Sequence, residues 1–453
     1  MSVKNAPGGC GGSVPAIPAA LADLAGLTVF KDCGERPLLK SFRALVEEWG
    51  LCENQNLPRR WAALMGELGA AGPGFFSRVR EFALASDNPF TLAAERGLEA
   101  GAFLSHLAGG DLERLGRLAA FDIPALGFGL AQRLRSSGLE DAAAGVEAEA
   151  RALCEMQETG GTGPLRDGSW GSSLEAFAAH VRRHGAGALS HRGFFRWTRP
   201  PEAPGFPQPV PNSDPVSLAD LSGYQDQRSL VIDNTLSLLE GKAANNLLLY
   251  GDRGTGKSAT VKAVCREYLD RGLRLLELRK ADMGELPAVL EFTASRGLKF
   301  VIFIDDLSFE GLGDSFTGAK ALLEGGVEKR PPNTAIYATS NRRHLLQEHR
   351  AGQPGGAGDG ESRASDTVQE QLSLADRFGL TVFFTAPGQE EYLGIASFIA
   401  ARRGIVPDGR FREDALRWER WFNSRSPRTA SQFVAWLDGA KPFPWDRAPA
   451  RGV

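Results

Sequence analysis

Apolar residues in the first third of the chain recur at three- and four-residue steps. Leu38-Leu39-Phe42-Leu45-Val46-Trp49 and Phe76-Val79-Phe82-Ala83 are two such runs, and Gly or Pro interrupts the pattern at short intervals. That periodicity predicts a bundle of short helices over about 36–156, without strand runs. Ahead of it, residues 1–30 are rich in Ala, Gly and Pro and are expected to be a flexible lead-in, so the helical N-terminal domain is placed at 31–173. Residues 157–173 have loop composition, and a further helix is expected over about 174–185.

The stretch from Pro200 to Pro215 carries six prolines before the last one. It reads as an extended, semi-rigid linker, so 174–215 is assigned to a helix plus a Pro-rich connection between domains. After 216 the pattern changes. Short apolar runs at Asn246–Tyr250, Leu273–Leu278, Phe300–Ile304, Thr334–Thr339 and Leu380–Phe384 alternate with helical segments. Near-continuous apolar strands alternating with helices predict a parallel sheet covered on both faces, an α/β domain over 216–387. A Gly-, Ser- and Asp-rich insertion lies at 351–365. Residues 388–440 are expected to form a small helical lid, followed by a tail at 441–453.

The chain has 453 residues, which suits two or three domains, with 42% hydrophobic and 24% charged residues. A formal charge of -3 argues against nucleic acid as an obligate partner. The five cysteines (Cys10, Cys33, Cys52, Cys154, Cys265) lack any paired ligand spacing, and the six histidines are dispersed. These features point to reduced thiols and no structural metal. No apolar stretch is long enough for a membrane span, and the N-terminus lacks a secretory pattern, so a cytoplasmic protein is expected.

The strand ending at Tyr250 runs directly into Gly251-Asp252-Arg253-Gly254-Thr255-Gly256-Lys257-Ser258, with a helical pattern from Ala259 to Asp270. This is G-x-x-x-x-G-K-[ST] in the strand–loop–helix setting the motif needs. Its glycines let backbone N–H groups turn around a β-phosphate, and the following helix adds its positive dipole end. Residues 251–259 would cradle ATP. Lys257 would bridge the β- and γ-phosphates and Ser258 would ligate Mg2+.

The unbroken apolar strand Phe300–Ile304 ends in Asp305-Asp306, at the sheet edge where α/β proteins bind ligands. Asp305 would hold Mg2+ through water, and Asp306 would act as general base. Many related ATPases carry Asp-Glu here, so the expected base Asp306 is one methylene short, with Glu310 as an alternative. Asn341, at the end of the strand 334–339, would contact the attacking water and the γ-phosphate, or simply form a turn. Arg342, Arg343 and His344 are either solvated charges or a basic finger. Arg377, before the run 380–384, would be an arginine finger entering a neighbouring subunit's site, or an intrachain ion-pair partner. Arg428, opening a helix in the lid, would reach back to the γ-phosphate, or stand exposed.

The order of these elements resembles that of AAA+ ATPases, and Leu221-Ser222-Gly223-Tyr224-Gln225 resembles their adenine-contacting segment. More closely, residues 174–440 resemble a bacterial family of AAA+-type ATPases of unknown function. The resemblance rests on residues 251–258, Asp305-Asp306-Leu307-Ser308-Phe309, Leu323-Glu324-Gly325-Gly326, Ala338-Thr339-Ser340-Asn341-Arg342-Arg343-His344 and Leu374-Ala375-Asp376-Arg377-Phe378-Gly379-Leu380. The Asp305-Asp306 pair is similar to what that family carries. The resemblance implies an AAA+ fold with a helical lid, ATP and Mg2+ at this site, and no settled substrate. The expected activity is ATP hydrolysis by a homo-oligomer that remodels or loads a macromolecule, a protein rather than a nucleic acid. The alternative is a low-turnover, nucleotide-gated switch that binds a protein partner through its N-terminal helices. Nucleic-acid loading through Arg342 and Arg343 is a further alternative.

Overall fold

A computed structural model describes residues 17–51, 54–71, 74–155, 164–166, 169–190, 192–307, 330–341 and 378–439, together with Phe443 and Trp445. The chain divides into two compact units, Met1–His191 and Arg192–Val453. No helix among the described residues is long and apolar enough to cross a membrane.

The first unit is all-helical: α1 (Ile17–Ala25), α2 (Lys31–Gly34), α3 (Pro37–Gly50), α4 (Leu57–Ala71), α5 (Phe75–Leu84), α6 (Pro89–Glu95), α7 (Ala102–Ala119), α8 (Ile123–Ser136), α9 (Glu140–Glu155) and α10 (Leu174–His184). The prolines that punctuate the pattern sit in the first turns of α3, α6 and α8, where a missing N–H costs nothing. Leu39, Phe42, Leu45 and Val46 of α3 pack with Trp61 and Leu64 of α4, all buried.

The flexible lead-in expected over 1–30 is corrected from residue 17 onward. Alanine favours helix, and Ile17, Ala20, Leu24 and Leu27 follow a three- to four-residue step into the core. Asp111 then pins the next turn: its buried carboxylate accepts from the N–H groups of Thr28 and Val29 at 2.7 Å and of Phe30 at 3.0 Å.

The second unit is built on a seven-stranded sheet ordered β2-β1-β4-β5-β6-β3-β7. Its strands are β1 (Phe194–Thr198), β2 (Phe206–Pro209), β3 (Leu247–Gly251), β4 (Leu273–Glu277), β5 (Lys299–Ile304), β6 (Thr334–Asn341) and β7 (Leu380–Phe384). The β1–β2 pair is antiparallel and every other pair is parallel. Consecutive residues of β5 and β6 are buried, as they are when both sheet faces are covered. Helices α11 (Gln225–Leu239), α12 (Lys257–Glu267) and α13 (Leu286–Ala294) belong to this unit. A C-terminal lid of α14 (Gln389–Arg402), α15 (Phe411–Trp421) and α16 (Pro427–Asp438) closes around Tyr392, Phe411, Trp418 and Phe433. This is an α/β unit built on a mostly parallel sheet with a small helical lid, joined in sequence to an all-α N-terminal unit.

Of the helix and Pro-rich linker expected over 174–215, the helix forms as α10 (Leu174–His184) but belongs to the first unit. Phe177 and Val181 of α10 are fully buried in the core of the first unit, and the boundary falls between His191 and Arg192. The proline-rich stretch supplies β2, which pairs with β1 as an outer strand of the sheet. Pro207 stands opposite Trp197 and Pro209 opposite Phe195. Proline is tolerated on an edge strand, where it also blocks further strand addition. Gly205 approaches the Trp197 indole so closely that a Cβ there would lie 2.4 Å from Nε1.

Candidate functional site

Strand β3 lies between β6 and β7, with Gly251 level with both Asn341 and Phe384. The chain leaves Gly251 at φ 141°, where a Cβ would stand 2.0 Å from the Phe384 carbonyl oxygen. Only glycine passes there. Gly254 and Gly256 also have positive φ, 79° and 92°, and Gly256 caps α12. Asp252 braces the loop from behind: its N–H donates to the Phe384 carbonyl at 2.9 Å, and its Oδ2 accepts from the Ala386 N–H at 2.8 Å. Thr255 is buried and donates its hydroxyl to the Asp252 carbonyl.

Lys257 opens α12 and is 6% exposed. Its Nζ donates to the carbonyls of Gly251 at 3.1 Å and Asp252 at 2.8 Å, and to Asn341 Oδ1 at 3.2 Å. Burial holds its pKa below the ordinary lysine value, partly offset by the carboxylates of Asp252, Asp306 and Asp305. Ser258 Oγ donates to Asp305 Oδ1 at 2.6 Å. The next residue, Asp306, has φ 53° and is held in this left-handed turn from β6. Its N–H donates to Thr339 Oγ1 at 2.9 Å, and its Oδ1 accepts from Asn341 Nδ2.

The lid reaches the same place. Ser426 caps α16, and the Arg428 N–H donates to the Gly254 carbonyl at 3.2 Å. A Cβ on Gly254 would lie 2.8 Å from Ser426 Oγ and 3.1 Å from Arg428 Cβ, so the glycine lets the lid close onto the loop. The N-termini of α12 and α16 therefore meet at one cleft of about 810 Å³. Two positive dipole ends and the cations Arg253, Lys257, Lys262 and Arg428 share its lining with the carboxylates of Asp214, Asp220, Asp305 and Asp306, an arrangement suited to an anion carrying a divalent cation.

Of the residues expected from the sequence, Arg253, Gly254, Gly256, Lys257, Ser258, Ala259, Asp305, Asp306, Asn341 and Arg428 line this cleft. Gly251, Asp252 and Thr255 shape the loop from behind. Gly223 and Tyr224 are not among the lining residues. The Tyr224 hydroxyl instead donates to the Thr385 carbonyl at 2.7 Å and its ring packs on Phe384, while Asp220 and Leu221 line the cleft. Arg377, the alternative base Glu310, Arg342, Arg343, His344 and the 351–365 insertion lie outside the described residues.

Sequence reasoning missed Thr339, Lys262, Ile399 and Ser431, which also line the cleft. The signal for Thr339 was present, because it lies two residues before Asn341 on β6 and so shares its face.

A family model described as "Protein of unknown function (DUF815)" matches residues 190–441, more than half of the chain. No curated protein matches. Among solved structures, the Thermotoga maritima RuvB Holliday junction branch migration motor is 18% identical, with a TM-score of 0.34. The match covers 50% of this chain and 65% of that one. A single-substitution variant of the same protein matches at 16% identity and the same TM-score. The chain thus spans about 65% of the length of the solved structures it resembles.

Proposed function

The chain belongs to the DUF815 family, and we propose that it is an AAA+ ATPase that binds ATP and hydrolyses it with Mg2+. The contact between Ser258 Oγ and Asp305 Oδ1, at 2.6 Å beside Lys257, carries this proposal. A hydroxyl and a carboxylate oxygen converge there on one point, which is the donor set a magnesium ion takes. The neighbouring ammonium donates to neutral oxygens that a phosphate can replace. The glycine cradle fits as well, since a Cβ at Gly251 or Gly254 would obstruct it.

Within this site Lys257 binds the β- and γ-phosphates, and Ser258 and Asp305 hold the metal. Bound Mg2+ supplies charge neutralisation at the phosphate oxygens. The Asp306 carboxylate takes the proton of the attacking water, Asn341 orients that water, and Arg428 ties the lid to the loop. The ATPase acts as a homo-oligomer in which Arg377 of one subunit completes the next subunit's site, and it remodels a protein. Support for this assembly is the resemblance to AAA+ proteins around residues 374–380.

A second reading, a low-turnover nucleotide-gated switch working through the N-terminal helical unit, has one observation in its favour. Asp306 is short, and its carboxylate is engaged by Asn341 Nδ2. Phosphate release at saturating ATP, with Lys257→Ala as control, separates the two. Release that depends on Lys257 supports the ATPase. Tight binding without release supports the switch, and wild-type protein that binds no nucleotide overturns both.

A further inference from the structure

We propose that Thr339 is the positioning residue of this site, its one hydroxyl fixing both Asp305 and Asp306. The proposal rests on the nucleotide-site reading above. Thr339 is 2% exposed, in the strand next to β5. Its Oγ1 donates to Asp305 Oδ1 at 2.6 Å and accepts from the Asp306 N–H at 2.9 Å. A hydroxyl has one proton to give, so the two contacts have complementary polarity: the proton goes to the carboxylate and a lone pair takes the amide. The Thr339 carbonyl accepts a third bond from the Leu307 N–H at 2.7 Å.

These contacts span a backbone position that needs external support. Asp306 is a non-glycine residue at φ 53°, a conformation that persists only where its surroundings enforce it. The same hydroxyl bears on the metal side. Asp305 Oδ1 accepts from both Ser258 and Thr339. When the Ser258 hydroxyl turns to serve as a ligand, Thr339 remains the donor that keeps the Asp305 carboxylate in place. Partners of this kind set ligand orientation as much as the ligands themselves. Thr339 also shares its strand face with Asn341, the other residue that grips Asp306. The ATP-facing end of β6 therefore controls the whole acidic turn.

The test compares Thr339→Val, which keeps the shape and removes the hydroxyl, with Thr339→Ser, which keeps the hydroxyl and removes the methyl. Binding of a fluorescent, non-hydrolysable ATP analogue is measured in EDTA and in Mg2+, and phosphate release is measured in parallel. For Thr339→Val, affinity in EDTA stays within about twofold of wild type, while the Mg2+-dependent gain in affinity and kcat both fall about tenfold or more and KM changes little. Thr339→Ser restores both. Should the valine variant fail to fold, Thr339→Ala against Thr339→Ser makes the same comparison.

The proposal is overturned if removing the hydroxyl leaves the Mg2+ response and kcat intact. Equal losses in the valine and serine variants overturn it too, because they assign Thr339 to packing alone. The Lys257→Ala control isolates the underlying reading: if that variant binds the analogue as wild type does, the nucleotide site itself is wrong.

Discussion

Ser258 Oγ donates to Asp305 Oδ1 at 2.6 Å, joining the helix that follows β3 to the end of β5 across the intervening strand β6. Two residues that share one partner are coupled, so their substitutions should not add. Ser258→Ala and Asp305→Asn are each expected to abolish most of the Mg2+-dependent gain in nucleotide affinity. The double variant should then fall short of the summed losses by at least about 0.5 kcal/mol, the usual lower bound for residues in contact. Titrating the nucleotide analogue in Mg2+ and in EDTA across the four proteins measures that coupling. Strict additivity would mean that the two residues serve separate ligands.

Asp306 separates chemistry from binding. Asn tolerates the left-handed turn as Asp does, so Asp306→Asn keeps the backbone and removes the base. Its kcat should fall about 100-fold or more, within the range that general-base catalysis contributes, with nucleotide affinity changed little. Phosphate release and analogue binding on the same preparation decide it. A variant with unimpaired kcat would transfer the role of base to another residue.

Much of this arrangement was legible in the chain. The loop 251–258 and the five core strands announce themselves because each is a short apolar run ending in a turn or a charged group, and the structure confirms those strands to within a few residues. The proline-rich stretch misled because composition cannot distinguish a linker from an edge strand; β2 keeps Pro207 and Pro209 by pairing on one side. Residues 17–30 misled because alanine and glycine content masked a helical step. Tyr224 sits at a resemblance-defined position, yet its hydroxyl turns to Thr385, a contact 161 residues away in sequence that no local pattern encodes. The spacing of Thr339 from Asn341 placed it on the same face, but its two partners, Asp305 and Asp306, lie in the turn after another strand, where no local pattern points.

The glycines of the loop differ in what a side chain would meet. Gly251→Ala drives a Cβ into the Phe384 backbone at 2.0 Å and should prevent β3 and β7 from pairing normally. Gly254→Ala meets Ser426 Oγ and Arg428 Cβ, which belong to the lid and can retreat. Its cost should therefore be about 1–2 kcal/mol from the left-handed backbone, with the lid displaced and nucleotide affinity reduced. Thermal denaturation ranks the two variants. Hydrogen exchange on the 426–430 segment should rise in Gly254→Ala, and unchanged exchange there would disprove lid contact through this glycine.

The N-terminal unit offers a stability prediction independent of nucleotide. Asp111 accepts from three consecutive backbone N–H groups and from Arg114 Nη1 at 3.0 Å, with its own side chain fully buried. Asp111→Ala leaves those donors without their acceptor. The loss should be about 3 kcal/mol, the scale of unsatisfied buried polar groups. Exchange protection should disappear first at the amides of Thr28, Val29 and Phe30. Retained protection at those amides would mean that other acceptors hold this turn.

Lys257 gives the site a pH dependence whose sign can be worked out. Burial lowers its pKa below that of a free lysine, so it loses its proton at a lower pH than an exposed lysine would. Phosphate binding needs the ammonium. Affinity is therefore full below the folded-state pKa and falls as pH rises through it, while the triphosphate, already ionised, contributes no titration of its own in that range. Bound phosphate favours the charged form, so the ligand-bound protein should deprotonate at higher pH than the free one, and the two midpoints bracket the transition. Affinity measured from neutral to alkaline pH should decline for wild type and stay flat for Lys257→Arg, whose guanidinium keeps its charge. A parallel decline in both proteins would assign the titration to a different group.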